Sequence, residues 1–127
     1  GEVRTGLAIT DQLKIIASPY KTLKPKNTNT LINELNTIVE REEVEKIIVG
    51  LPLGTSGKDT ERTKITRKFI KKLKKGTDVP IEIIDERYSS DEAKELLIKR
   101  GIKTGHAKEE VDKTAAAIIL RRYLDGQ

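Results

Sequence analysis

Ile81-Glu82-Ile83-Ile84-Asp85-Glu86-Arg87-Tyr88-Ser89-Ser90 is the stretch whose reading decides the fold. It reads as a short buried strand that ends in two carboxylates and an arginine, then turns directly into a helix. Pro80 has no N–H to give to a ladder, so it can open the strand but not continue a central one. Ile81, Ile83 and Ile84 supply the β-branched apolar run. Ser89 followed three residues later by Glu92 is a capping-box pattern, and Asp91 and Glu92 suit the positive end of a helix. In an open α/β sheet, ligands bind outside the carboxyl ends of the strands, which is where Asp85 and Glu86 would stand. A surface turn carrying an Asp–Arg ion pair accounts for the same residues, and this stretch alone does not choose between the two.

Upstream, Lys46-Ile47-Ile48-Val49-Gly50-Leu51-Pro52-Leu53 reads as a second buried strand, running into a loop through Gly54, Thr55, Ser56 and Gly57. Two glycines beside hydroxyls suggest a mobile segment or a phosphate cradle. The Lys-Ser/Thr pair that opens the helix of a nucleotide P-loop is missing, which leaves a flexible loop closing over a substrate. From Asp59 to Lys75 the spacing predicts a helix, with Ile65, Phe69 and Leu73, widened by Ile70, as its apolar stripe. Lys64, Lys68, Lys71 and Lys75 gather on another face, and Gly76 is placed to end the helix, as glycine commonly does.

The charge is as uneven as the pattern. The net is +5, yet Lys58 to Lys75 holds nine basic residues against Asp59 and Glu61, so the remainder of the chain is about −2. One segment carries the whole excess, as a polyanion-facing patch would, although a solvated lysine-rich surface has the same composition. Phe69, Tyr20, Tyr88 and Tyr123 are the only aromatics, too few for a base-stacking platform, so a nucleic-acid partner would be met through its backbone phosphates.

Nearer the start, Thr5 to Thr10 and Tyr20 to Leu23 read as strands. They are joined too tightly for a parallel crossover and are therefore an antiparallel pair. Lys24 to Asn29 is a loop. Leu31, Ile32, Leu35, Ile38 and Val39 then recur at helical spacing, with Thr30 or Asn29 as the cap. After the central strand, Ala93, Leu96 and Leu97 bury a short helix that stops at Gly101, and a loop carries His106, the only histidine, expected to face solvent. The last helix runs from about Glu109 to Leu124, with Val111, Ala115, Ile118 and Ile119 on its core side. Asp112 lies in its first turn, where an acid complementing the helix dipole is worth ~0.3–1 kcal/mol. There is no cysteine, hence no disulfide, thiolate metal site or cysteine nucleophile. No apolar run approaches the ~20 residues needed to span a bilayer, so no membrane partner and a cytoplasmic location are expected. The 127 residues fit one domain.

Four segments together carry a resemblance: Gly1-Glu2-Val3-Arg4-Thr5-Gly6, Ile48-Val49-Gly50-Leu51-Pro52-Leu53, Asp85-Glu86-Arg87-Tyr88-Ser89-Ser90, and Val111-Asp112-Lys113-Thr114-Ala115-Ala116-Ala117-Ile118-Ile119-Leu120. In this order and spacing they resemble the YqgF family of bacterial Holliday-junction resolvases, of the RuvC-like, ribonuclease H-like superfamily. The resemblance covers almost the whole chain. It implies an α/β ribonuclease H-like fold: a mixed five-stranded sheet whose first three strands are antiparallel, flanked by helices, as a single nuclease domain over residues 1–127. It also implies phosphodiester hydrolysis dependent on Mg²⁺ or Mn²⁺, acting on branched DNA or on the 5′ end of pre-16S ribosomal RNA. By position, Glu86 and Asp112 match two of the family's metal-binding acids, which implies that they share one site. Asp85 is a third candidate that could instead hold Arg87, because successive strand residues face opposite sides. Arg4 and Arg87, within the motifs, join Lys64, Lys68, Lys71 and Lys75 as expected contacts to nucleic acid. The family's first acid lies two residues before the glycine matching Gly1. That acid and its strand therefore fall outside this sequence, and the chain as written is expected to have an incomplete metal site and to be inactive. The alternative function is a nucleic-acid-binding module on the same fold without catalysis.

Overall fold

The structure, a computed structural model, describes residues 4–54, 56–86, 89–102 and 108–126. It is mixed α/β, in the order β1 (Thr5–Thr10), β2 (Ala17–Leu23), α1 (Thr28–Arg41), β3 (Ile47–Leu51), α2 (Glu61–Gly76), β4 (Ile81–Asp85), α3 (Ser89–Lys99) and α4 (Lys108–Asp125). Among the described residues the four strands form two two-stranded sheets, β1–β2 and β3–β4, where the resemblance implies one mixed sheet. The chain divides into two compact units, Gly1–Lys24 with Tyr88–Gln127, and Pro25–Arg87.

The first unit is built from both halves of the chain. β1 and β2 pair antiparallel, as their short connection requires. β2 begins at Ala17, three residues earlier than its apolar pattern suggests, and runs through Pro19. A register shift opposite Leu7 and Ala8 explains the tolerance: Leu7 pairs with Lys21 and Ala8 with Pro19, so Tyr20 is the extra residue of a bulge, a place where proline costs no ladder bond. The turn is tied by Asp11, whose carboxylate accepts the N–H groups of Ile15 (2.8 Å) and Ile16 (2.9 Å). Those two bonds hold the Asp11 carboxyl below the usual carboxylate range. α4 packs on both strands and α3 packs on α4. Ala93, Leu97, Val111 and Ala115 form the buried cluster, with Ile118 against it. Burying a leucine or valine side chain of this kind contributes about 1.5–3 kcal/mol. α3 stops as anticipated: Gly101 takes φ 79°, and the Ile102 N–H reaches back to the Leu97 carbonyl (2.9 Å).

The second unit is contiguous, a helix followed by a β3–α2–β4 crossover with parallel strands in the register Ile47↔Ile81 to Leu51↔Asp85. The α1 cap is Asn27, whose side chain accepts the Thr30 N–H at 2.8 Å, and the helix begins at Thr28. β4 is less buried than its isoleucines suggest: Ile83 is 45% exposed, because this strand pairs only with β3 among the described residues. The α2 stripe also differs from expectation. Thr63, Ile70 and Leu73 are buried while Ile65 is 65% exposed, since a residue two positions past Thr63 points ~200° around the helix. Gly76 is the last residue of α2 but not a left-handed cap. A Cβ there would come within 2.9 Å of Ile32 Cγ2, and the Gly76 carbonyl accepts from Asn36 Nδ2 at 2.7 Å. The glycine serves close approach to α1.

Candidate functional site

In the first unit the chemistry gathers at the N-terminal turns of α4. Asp112 sits there with its carboxylate in an ion pair to Arg4 Nε at 2.6 Å, the side chains being 23% and 37% exposed. Arg4 stands just before β1, so one end of that strand reaches the helix. Gly6 makes the approach possible: a Cβ at this position would overlap the Asp112 carbonyl and lie 2.8 Å from the Lys113 nitrogen. β2 and Lys24 just after it each add a contact to the same turn. The Thr22 hydroxyl donates to the Glu109 carbonyl at 2.8 Å, and Lys24 Nζ pairs with the Glu109 carboxylate at 2.6 Å. Hydrogen bonding from Lys24 holds the Glu109 carboxyl below its usual range.

In the second unit the two strand-end acids occupy successive positions. Asp85 closes the β4 ladder opposite Leu51, and the Glu86 N–H continues it by donating to the Leu51 carbonyl at 3.1 Å. Both residues are half-buried. Successive residues of extended backbone present opposite faces, so the pair does not converge on one point. Arg87 and His106 lie outside the described residues.

The described residues of the loop between Leu53 and Thr60 are tied down. Leu53 bridges Asp59, the Gly54 N–H donates to the Lys58 carbonyl (2.9 Å), and Gly57, at φ 82°, closes the turn by donating to the Gly54 carbonyl (2.8 Å). Thr63, fully buried on α2, donates its hydroxyl to the Pro52 carbonyl and completes a capping box with Thr60. No apolar pattern marks Thr63. The Thr60-x-x-Thr63 spacing is the signal that could have found it. Arg67 is taken up by Asp59 through two parallel bonds (2.9 and 3.0 Å), which depress the Asp59 carboxyl and raise the Arg67 guanidinium.

Lys64, Lys68, Lys71 and Lys75 are all exposed, on the side of α2 away from Thr63, Ile70 and Leu73. Lys64 lies 3.8 Å from Glu61, and Lys68, Lys71 and Lys75 have no acidic partner among the described residues. A row of ammonium groups so arranged presents a positive stripe to solvent, suited to phosphates and unsuited to reading bases.

Residues 1–126 match the RuvX family, described as Holliday junction resolvase. The chain belongs to the RuvX family. Curated relatives agree along nearly their full length. A protein of Maridesulfovibrio salexigens named "Putative pre-16S rRNA nuclease" is 40% identical over 124 residues, 98% of this chain and 92% of its own. Relatives of the same name in Koribacter versatilis and Halothermothrix orenii are 37% and 36% identical, covering 98% and 100% of this chain and 82% and 91% of theirs. This RuvX chain offers carboxylates of the kind that Mg²⁺ and Mn²⁺ take. The number of donors falls short, however: among the described residues no three His, Asp or Glu side chains gather to hold an ion. The described residues alone therefore do not make the three-acid centre that the resemblance implies. No helix among them is long and apolar enough to cross a membrane.

Proposed function

We propose that this chain is the nuclease domain, over residues 1–127, of an endonuclease that hydrolyses phosphodiester bonds in nucleic acid, pre-16S ribosomal RNA or junction DNA, in the cytoplasm. The family match over residues 1–126 carries this reading, together with relatives at 36–40% identity named for nuclease action on pre-16S rRNA. The ribonuclease H-like five-stranded sheet belongs to the same proposal. Glu86 and Asp112 are the acids assigned to catalysis and to Mg²⁺ or Mn²⁺, and Asp85 is the lesser candidate. Lys64, Lys68, Lys71 and Lys75 hold the nucleic-acid backbone, and Arg87 is assigned with them.

The test uses the natural full-length protein with a four-way DNA junction and with pre-16S rRNA, each with Mg²⁺ or Mn²⁺. Partners one step removed from a metal typically cost ~10–100-fold when lost, so Glu86→Gln and Asp112→Asn should each cost more than that. Asp85→Asn should retain most activity. Changing Lys64, Lys68 and Lys71 together to Gln should weaken binding equally for unrelated sequences and flatten the log–log salt dependence by up to about 0.9 per lost phosphate contact. Full activity in Glu86→Gln overturns its assignment. If the parent cleaves neither substrate with either ion, a binding module without catalysis takes the place of the enzyme.

A further inference from the structure

We infer that Arg4 is a positioning residue for Asp112, not a contact to nucleic acid. The inference deepens the nuclease reading and rests on it for the role of Asp112. Its structural part stands on the first unit alone. Arg4 Nε lies 2.6 Å from Asp112 Oδ2, within the range of a charge-assisted hydrogen bond. A guanidinium engaged in this way forms a pair of zero net charge, which has little attraction left for a phosphate. It also occupies one carboxylate oxygen and leaves Oδ1 to whatever Asp112 acts upon.

The carboxylate is fixed at two levels. Without Arg4, the Asp112 side chain would be free to change rotamer on the helix. With it, the side chain is tied to the chain just before β1. The backbone beneath is fixed separately, because Gly6 lets β1 press against the Asp112–Lys113 peptide, where any Cβ would collide. In the same turn, Thr22 and Lys24 fasten Glu109. Strand and helix thus hold both the peptide and the carboxylate of Asp112, an arrangement that favours precise placement of an oxygen. Sub-ångström placement matters in catalysis, since misplacing a reacting group by ~1 Å can cost ~10²-fold. Nucleic-acid affinity, by contrast, depends on phosphate contacts that this pair does not offer.

The experiment compares Arg4→Gln and Arg4→Lys in the natural full-length protein. Cleavage of the four-way junction and of pre-16S rRNA gives kcat and KM. Binding of the same molecules in EDTA across salt concentrations gives the log–log slope, and amide hydrogen exchange follows Val111 to Thr114. Arg4→Gln should lower kcat by ~10–100-fold, the usual cost of losing a partner that orients an acting group. KM should stay within about twofold and the salt slope should not change, as for any residue that makes no phosphate contact. Exchange at Val111 to Thr114 should quicken severalfold. Arg4→Lys keeps the charge and should recover much of kcat, a rescue that a merely structural defect would not show. Weaker binding with a slope reduced by about 0.9, and kcat intact, would make Arg4 a phosphate contact and overturn the inference. Unchanged kcat with unchanged exchange would overturn it as well. If the parent cleaves neither substrate, the nuclease reading fails. The latch is then judged by exchange alone, and unchanged exchange in Arg4→Gln rejects it.

Discussion

The two units differ in how far their charge is paired or sorted. In the first, opposite charges meet across elements: Arg4 with Asp112, Lys24 with Glu109, and Arg122 of α4 with Glu92 of α3. In the second, one such pair joins Lys46 to Glu82 of β4 at 2.8 Å, but most of the charge is sorted along the chain, with nine basic residues between Lys58 and Lys75 and only Asp59 and Glu61 among them. Asp59 removes Arg67 from that set, while the lysines of the outer face remain exposed. Cross-element pairing fixes geometry, whereas a sorted helix creates a field. The first arrangement holds side chains in place; the second presents a positive face to solvent.

The largest effect expected from testing this contrast is at a glycine. Gly6→Ala drives a Cβ into the Asp112 carbonyl, which is backbone and cannot turn aside. Overpacking typically costs ~1–3 kcal/mol, and a backbone obstacle should put this variant at about 3 kcal/mol or more in urea unfolding. Gly76→Ala in the second unit meets only the Ile32 side chain and gains about 1 kcal/mol of helix propensity, so its net change should stay within about 1 kcal/mol. Equal losses in the two variants would break the view that only the first unit is built around a close backbone approach.

Next comes Thr63→Val, nearly the same shape without the hydroxyl. It leaves the part-buried Pro52 carbonyl short of its donor and dissolves the Thr60–Thr63 capping box. A loss of about 1–3 kcal/mol is expected by denaturant titration. The loop before α2 should become more susceptible to proteolysis, and unaltered cleavage there would show that the loop holds without this hydroxyl.

A smaller effect is expected where helices end. α3 closes with Gly101 at φ 79°, but α1 closes with Glu43 at φ 54°, the Val44 N–H reaching the Val39 carbonyl at 2.9 Å. A left-handed residue with a side chain is strained by roughly 1–2 kcal/mol, part of which glycine repeats as lost freedom, so Glu43→Gly should stabilise by up to about 1 kcal/mol. Gly101→Ala should destabilise. A fall in melting temperature for Glu43→Gly would mean that its side chain outweighs the strain.

The smallest effects belong to two exposed acids, one in each unit. Asp59, lowered by Arg67, and Glu109, lowered by Lys24, both have folded values below their unfolded ones. Each therefore adds stability that is fully present above the unfolded carboxylate range, near pH 4, and is lost as pH falls through the depressed folded value. Asp59→Asn and Glu109→Gln should lower the melting temperature slightly at pH 7 and merge with the parent near pH 2. A gap that persists at pH 2 would assign the effect to packing instead of charge.

Much of this was legible in the residues. The hairpin, the β3–α2–β4 crossover, the end of α3 at Gly101 and the lysine face of α2 all follow from local spacing, which fixes them within a turn or a strand. What escaped depends on partners far along the chain. Ile65 looked like core because it is apolar, yet the helix turned Thr63 inward, and a threonine is buried only when a carbonyl such as that of Pro52 waits for it. Gly76 looked like a cap until Ile32 gave it another reason, and β4 looked buried because isoleucine count does not reveal how many strands flank it. The motifs singled out Asp112 and Glu86 by resemblance. The Arg4–Asp112 pair, 108 residues apart in sequence, left no local pattern at either end.

The division of the chain has a consequence for the order of folding. The second unit is continuous, so all its contacts are available once residues 25–87 have emerged from the ribosome. The first unit needs α4 to cover a hairpin whose Thr22 lies 87 residues before its partner Glu109, and Leu13, Ile15 and Ile16 at the hairpin's tip remain exposed even then. An isolated hairpin is marginal in water, so β1 and β2 should stay unprotected through most of synthesis. Pulse-labelling of nascent chains should therefore find α2 guarded first and the strand carrying Gly6 last.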